Sequence, residues 1–141
     1  MIQRVQTIWL LLAAIAGFLT TQIPLYSGVM AGDMTKKYLA TESLGLFALS
    51  IVASLIAVVA IFLFKNRANQ IKITALGIIV SIALIALEVW QIGAFKQTSG
   101  ALKGTYYWGA LLPIAMVIFF LLAWINIRKD NRLIKSLDRF R

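Results

Sequence analysis

Four long apolar runs, separated by short polar segments, dominate the pattern of hydrophobic and polar positions along the chain. They extend approximately over residues 7–25, 43–64, 71–93 and 107–127. A helix needs about 20 residues to cross the ~30 Å hydrocarbon core of a bilayer, and each run is of that length. The pattern predicts an all-α membrane protein, with four transmembrane helices in an antiparallel bundle that forms a single integral membrane domain over residues 1–141.

The first run contains Ala14 and Ala16 in an A-x-A pattern, which is typical of a signal-peptidase site. However, the apolar stretch before this pattern is short for the core of a signal peptide, and it continues past the pattern to Leu25. These two features favour an uncleaved first helix.

Composition agrees with a membrane location and removes several kinds of chemistry. Hydrophobic residues make up 61% of the chain and charged residues 13%, with a mean hydropathy of +0.88. Soluble domains carry about a quarter charged residues. Because the sequence has no Cys and no His, it offers no disulfide, thiolate nucleophile, imidazole base or common zinc site. With no catalytic motif either, we expect no enzyme, no cofactor and no metal.

The distribution of Lys and Arg predicts the orientation, because cytoplasmic loops carry an excess of both. Ten of the fourteen lie at the N-terminus, in the second loop and in the tail, against four in the first and third loops. We therefore expect both termini in the cytoplasm. The first and third loops are rich in Gly, Ser and Thr and are expected outside. The net charge of +9 then needs no nucleic acid as a partner.

The third run carries a stripe of small and polar residues at helical spacing, which predicts its packing face. Its members are Thr74, Gly77, Ser81, Leu84, Glu88 and Gln91. The opposite side holds bulky aliphatic residues that suit lipid: Ile78, Ile82, Ile85 and Val89. A similar stripe on the second run contains Phe47 and Ser50. Most of these residues are expected to serve packing alone.

Glu88 is the one acidic residue inside an apolar run, and an ionisable residue in a membrane is a candidate functional site. The spacing puts it about 9 Å beyond the middle of its helix, in the outer half of the bilayer. A candidate polar site therefore combines this carboxyl with side chains expected nearby: Gln91, Ser81, Thr21, Gln22, Ser43, Tyr106 and Tyr107. The alternative is that Glu88 only joins helices through hydrogen bonds.

The tail, residues 128–141, combines apolar residues at helical spacing with a cluster of cations. It predicts a short basic amphipathic helix lying on the inner leaflet. The candidate contacts with anionic lipids or a cytoplasmic partner are Arg128, Lys129, Arg132, Lys135, Arg139 and Arg141. Pairing of Arg4 with Asp138 would close this end of the bundle.

Both ends of the chain resemble a known family. MIQRVQTIWLLLAAI at the start and DNRLIKSLDRFR at the end are similar to the small four-span proteins of the domain of unknown function 4293 family, from Bacteroidota. Its most specific positions here are Met1 to Arg4, Gln6, Thr7, Ser136, Asp138, Arg139 and Arg141. The resemblance implies an inner-membrane protein and supplies no reaction.

Three functions remain open. The first is a structural or accessory four-helix subunit that packs in a membrane-protein complex or a homo-oligomer, which short loops and small-residue faces favour. The second is a small proton-linked transporter using Glu88, and the third is a membrane adaptor that recruits a partner through its basic cytoplasmic tail.

Overall fold

Four long helices make up most of the protein. The computed structural model describes residues 2–29, 32, 34–100 and 103–140. The helices are α1 (Ile2–Gln22), α2 (Leu44–Phe62), α3 (Arg67–Ser99) and α4 (Leu112–Asp138). Each contains a segment long and apolar enough to cross a membrane, so the four predicted runs correspond to four helices that could span it.

The helices form a ring in which each packs against its neighbours in the sequence and α4 closes on α1. A single 3-10 turn, Leu63–Lys65, joins α2 to α3, so these two helices run in opposite directions. The start of α1 and the end of α4 lie at the same end as this turn, which we call the turn end. The longer connections, from α1 to α2 and from α3 to α4, lie at the opposite end.

A three-stranded antiparallel sheet is formed by these longer connections, and we call this end of the bundle the sheet end. The strands are β1 (Tyr26–Val29), β2 (Thr35–Tyr38) and β3 (Lys103–Tyr106), in the order β2-β1-β3. In the register, Tyr26 pairs with Tyr38 on one side and with Tyr106 on the other. The prediction of an all-α protein is therefore wrong in this respect, although the chain is mostly helical.

An aromatic cluster attaches the sheet to α3. The ring centroid of Phe95 lies 5.0 Å from that of Tyr38 and 6.1 Å from that of Tyr26, whose ring also contacts Tyr106 edge-on at 5.5 Å. Phe95 is within reach because α3 has 33 residues, or ~50 Å at 1.5 Å per residue, which is longer than a bilayer core. The last turns of α3 therefore support the sheet.

Small residues fill the interior of the bundle and let the helix backbones approach closely. A side chain at Gly77 of α3 would collide with the Phe120 ring of α4, and one at Gly17 of α1 would collide with the Ser54 hydroxyl of α2. Six buried alanines add to this close packing: Ala13, Ala16, Ala53, Ala57, Ala60 and Ala123.

The buried face of α3 follows the stripe expected from the sequence through Thr74, Gly77, Ser81, Leu84 and Glu88. Beyond Glu88 the next buried residue is Ile92, whereas Gln91, which was expected on this face, is half-buried. On α2 the expected face is right at Ser50, which is buried, and wrong at Phe47, which is exposed while Leu46 beside it is buried. The buried serines and alanines of α2 recur at steps of three and four from Leu46, so the helix turns Phe47 outward.

Polar links join the helices at the turn end. Arg67, at the start of α3, donates a hydrogen bond to the Asp130 carboxylate of α4 and forms an ion pair with it. The Gln6 amide donates to the Asn126 carbonyl oxygen at 3.2 Å, which ties α1 to α4. The Gln70 amide donates to the Ala60 carbonyl oxygen at 2.9 Å, which ties α3 to α2.

The tail is the continuation of α4, which runs unbroken to Asp138, and the described residues show no separate amphipathic helix. α4 has 27 residues, or ~40 Å, so its last turns extend past a ~30 Å bilayer core. Asp138 is exposed. The expected pairing of Arg4 with Asp138 involves a side chain outside the described part, and Arg141 lies outside it altogether.

Candidate functional site

Glu88 is buried in α3, with 4% of its side chain exposed. Its Oε1 atom is one of two buried side-chain polar atoms of the described residues that have no hydrogen-bond partner. Buried polar groups nearly always have one, because leaving a group without a partner costs about 1–3 kcal/mol. Glu88 therefore differs from Thr74 and Ser81, the other buried polar residues of its stripe, whose hydroxyls are hydrogen-bonded.

A groove of about 500 Å³ begins at this carboxyl. It lies between α3 and the segment that leads from β3 into α4. Its lining residues are Ile85, Glu88, Val89, Tyr106, Tyr107, Trp108, Ala110, Leu111 and Ile114. Trp108 is 78% exposed and Val89 59%, so the groove opens sideways, towards the lipid of a surrounding membrane.

Local structure explains why the second wall of the groove stands where it does. After β3 the chain makes one 3-10 turn, Trp108–Leu111, before Pro113 begins α4 in its first turn, where the missing N–H is best tolerated. Gly109 lies directly on the backbone carbonyls of Ile23 and Pro24, where a Cβ would have no room. This contact fixes the turn against the end of α1, so Tyr107 and Trp108 face α3 across the groove.

Two lysines stand at the aromatic rim of the groove. The Lys37 ammonium lies 5.5 Å from the ring centroid of Tyr107, and the Lys96 ammonium lies 5.1 Å from that of Tyr106. These distances are in the range of cation–π attraction. The groove thus has a carboxyl in its floor, apolar walls and a positively charged rim.

Of the polar residues grouped with Glu88 from the sequence, Tyr106 and Tyr107 line the same groove. Ser81 lies two turns deeper and donates to the Gly77 carbonyl oxygen at 2.8 Å. The Thr21 hydroxyl donates to the Phe18 carbonyl oxygen at 2.7 Å and accepts a hydrogen bond from Gln22 at 3.2 Å. Thr21, Gln22, Ser81, Ser43 and Gln91 are not among the groove's lining residues.

The sequence did not point to the apolar walls of the groove. Ile85 and Val89 were expected to face lipid; Val89 is exposed and Ile85 is half-buried, and together they form one side of the groove. Trp108 was not among the residues grouped with Glu88. These walls could not be predicted because the sheet was not predicted, and the position of the sheet determines where the turn before α4 lies.

A second groove, of about 680 Å³, runs along the turn end of α4. Its lining residues are Trp124, Ile125, Arg128, Lys129, Arg132, Leu133 and Ser136. The Arg128 guanidinium lies 4.5 Å from the Trp124 ring centroid, and the indole N–H of Trp124 has no partner among the described residues. Lys135 and Arg139 are exposed nearby, and Arg141 lies outside the described residues. In the described part of the chain, no three His, Cys, Asp or Glu side chains come together as metal ligands would.

Comparison with protein families matches the chain to the model described as domain of unknown function (DUF4293), over residues 2–140. The chain belongs to this family. The match covers nearly the whole chain, so the resemblance noted at its two ends is confirmed as a family relationship. Comparisons of this DUF4293 protein with the curated proteins and with the solved structures found no match.

Proposed function

We propose that this DUF4293 protein is a non-catalytic accessory subunit of a bacterial inner-membrane complex. The observation that carries the proposal is how its buried hydroxyls are satisfied. Thr20, Ser50, Thr74 and Ser81 each donate to a carbonyl oxygen of their own helix, four residues back, at 2.7–2.8 Å. A hydroxyl bonded in this way uses its one hydrogen within its own helix, which allows close helix packing and leaves it no donor with which to guide a solute.

An orientation with both termini in the cytoplasm is part of the proposal. The turn end holds the second loop and the end of α4, where most of the cations lie, while the sheet end carries Lys36, Lys37, Lys96 and Lys103. The positive-inside tendency then favours a cytoplasmic turn end and a sheet on the outer side.

The test is photo-crosslinking from the lipid-facing positions in living cells. A photoreactive amino acid is placed at Ile15, Leu55, Ile79 or Ile118, all 46–64% exposed and one on each helix. The matched control carries it at Ala57, which is buried. We expect one or two of the exposed positions to give a discrete adduct with a different membrane protein. Adducts only with a second copy of this chain, or none from any position, would contradict an accessory role.

A proton-linked transporter is the second candidate, and the unpartnered Glu88 carboxyl is the observation that favours it. Vesicles reconstituted with the wild-type protein would then show a substrate-dependent proton flux that Glu88→Gln abolishes while the protein stays folded. The accessory proposal expects no such flux from the wild type.

The basic groove of α4 supports contact with anionic lipids of the inner leaflet, and the adaptor alternative uses the same surface. Three cations, Arg128, Lys129 and Arg132, line it, and each Lys or Arg near an anionic membrane surface contributes about 1 kcal/mol. Replacing all three by Gln should reduce the stabilisation of the protein by phosphatidylglycerol relative to phosphatidylcholine. If lipids account for this surface, cytoplasmic proteins should not bind it in a lysate free of membranes.

A further inference from the structure

The groove at Glu88 changes in character along the membrane normal. α3 runs towards the sheet end, so Ile85 lies about one turn deeper than Glu88, and α4 runs away from it, so Ile114 lies deeper than Leu111. From the bundle's middle outward, the groove therefore presents apolar walls, then the carboxyl, then Tyr106 and the other rim aromatics.

The next layer outward is positively charged. Lys37 and Lys96 each stand over the ring of a tyrosine that lines the groove. A ligand that fits this order has an apolar chain at its deep end, a hydrogen-bond donor in its middle and an anionic group at its outer end.

We propose that this groove binds a single-chain phospholipid with a free glycerol hydroxyl, a lysophospholipid, from the leaflet at the sheet end. The acyl chain lies along Ile85 and Ile114, the glycerol hydroxyl donates to the Glu88 carboxyl, and the phosphate is held by Lys37 and Lys96. Because Oε1 has almost no accessible surface, the carboxyl turns towards the groove as the ligand binds, and its unpartnered oxygen then gains a donor.

The size of the groove agrees with one chain. Its volume of about 500 Å³ falls within the usual range for small-ligand sites.

The rim argues against a cationic amphiphile, the other ligand that a carboxyl suggests. A cationic amphiphile entering from the sheet end would first meet the ammonium groups of Lys37 and Lys96 over the rim tyrosines, and like charges repel. The site is separate from the accessory role, since neither lipid binding nor its loss requires a protein partner.

Binding can be measured by fluorescence quenching in phosphatidylcholine vesicles. Trp108 lines the groove, so Trp9, Trp90 and Trp124 are replaced by Phe to leave it as the single reporter. Four probes are compared, all with brominated hydrocarbon chains of the same length: lysophosphatidylglycerol, monoacylglycerol, an alkyl amine and diacyl phosphatidylglycerol. We expect saturable quenching at the lowest concentration with lysophosphatidylglycerol.

Two sets of variants separate the polar contacts. Glu88→Leu should weaken lysophosphatidylglycerol binding about tenfold, because it removes the acceptor. Glu88→Gln keeps a carbonyl oxygen and should stay within about threefold of the wild type. The double variant Lys37→Gln with Lys96→Gln should weaken the binding of lysophosphatidylglycerol about tenfold and leave the binding of monoacylglycerol unchanged.

A steric variant tests the groove without altering its polar groups. Ile85→Phe with Ile114→Phe should fill the space and abolish saturable quenching. The matched control is Ile118→Phe, one turn along α4, which is 50% exposed and not among the lining residues. It should bind as the wild type does.

The proposal is overturned if Glu88→Leu binds as tightly as the wild type, or if the filled groove still gives saturable quenching. It is also overturned if diacyl phosphatidylglycerol gives saturable quenching at the same concentration as lysophosphatidylglycerol, because the groove would then bind ordinary bilayer lipid. Tighter binding of the alkyl amine than of lysophosphatidylglycerol would overturn it in favour of a cation site.

Discussion

The two ends of the bundle are held together in different ways. At the sheet end, strands from two separate loops pair with each other, and aromatic rings attach them to α3. At the turn end, single polar contacts, such as the Arg67–Asp130 ion pair, join neighbouring helices. The sheet end is thus stabilised by close packing and many small contacts, and the turn end by a few individual polar bonds.

This difference predicts how each end responds to substitution. A closely packed contact without room for an added atom must move the backbone to accommodate one. A polar link that is partly exposed loses less when it is broken, because water can replace part of it. The substitutions that follow compare the two ends, from the largest expected effect to the smallest.

Gly109→Ala should be the most damaging small substitution at the sheet end. The added methyl group would meet the carbonyl oxygens of Ile23 and Pro24, which belong to the backbone and cannot rotate away. We expect the free energy of unfolding in detergent micelles to fall by about 2–3 kcal/mol. Gly93→Ala in α3 is the matched control, since no atom lies within 4 Å of its added Cβ. Equal stability of the two variants would show that the turn is not fixed against α1.

Asp130→Asn tests the turn end. It leaves the partly buried Arg67 guanidinium without its ion-pair partner, and we expect a loss of about 2 kcal/mol, below the range for fully buried pairs. The exposed Asp138→Asn serves as the control and should change stability by less than about 0.5 kcal/mol. Adding Arg67→Gln to Asp130→Asn should recover part of the loss in a chemical unfolding measurement. No recovery would mean that the two side chains are not coupled.

Phe95→Leu tests the attachment of the sheet to α3. Leu keeps most of the apolar volume but loses the contacts with the Tyr26 and Tyr38 rings, each pair being worth about 0.5–1.5 kcal/mol beyond burial. We expect a loss of about 1 kcal/mol, together with faster amide hydrogen exchange in β1 and β2. Exchange that speeds up equally at the turn end would contradict a local role.

Alkaline pH should weaken the sheet end through Tyr38. Burial raises the pKa of the Tyr38 phenol above its ordinary value of 10.0, the Glu42 carboxylate adds to this, and a hydrogen bond with Ser43 opposes it. Because the unfolded chain loses this proton first, stability should be complete below pH 10 and fall above it, by less than 1.36 kcal/mol per pH unit. Tyr38→Phe should reduce the difference in melting temperature between pH 9 and pH 11. A wild-type difference that Tyr38→Phe leaves unchanged would exclude this phenol as its source.

Much of the bundle was predictable from the sequence, because its determinants are local. Apolar runs of membrane length gave the helices, and small residues at steps of three and four gave the buried face of α3 up to Glu88. The sheet was not predictable. Its strands have four residues each, and β1 pairs with β3, which lies more than seventy positions further along the chain.

The candidate site was predictable only in part, for the same reason. Glu88 stood out because it is the one acid in an apolar run, and the two tyrosines were near it by depth. The groove itself depends on Gly109 and the turn before α4, which the sheet places. The ion pair of Arg67 with Asp130 was missed because both residues looked like ordinary members of a charged boundary.

The order of strands in the sheet also bears on how the protein acquires its topology during synthesis. β1 and β2 belong to one hairpin and can pair as soon as the first loop is made, which leaves one edge of β1 open. β3 can close that edge only when the second helical hairpin has entered the membrane with the same orientation as the first. A chain whose second half inserted upside down would place β3 on the opposite side of the bilayer. Completion of the sheet therefore distinguishes correctly inserted chains from inverted ones, in which one edge of β1 stays unpaired.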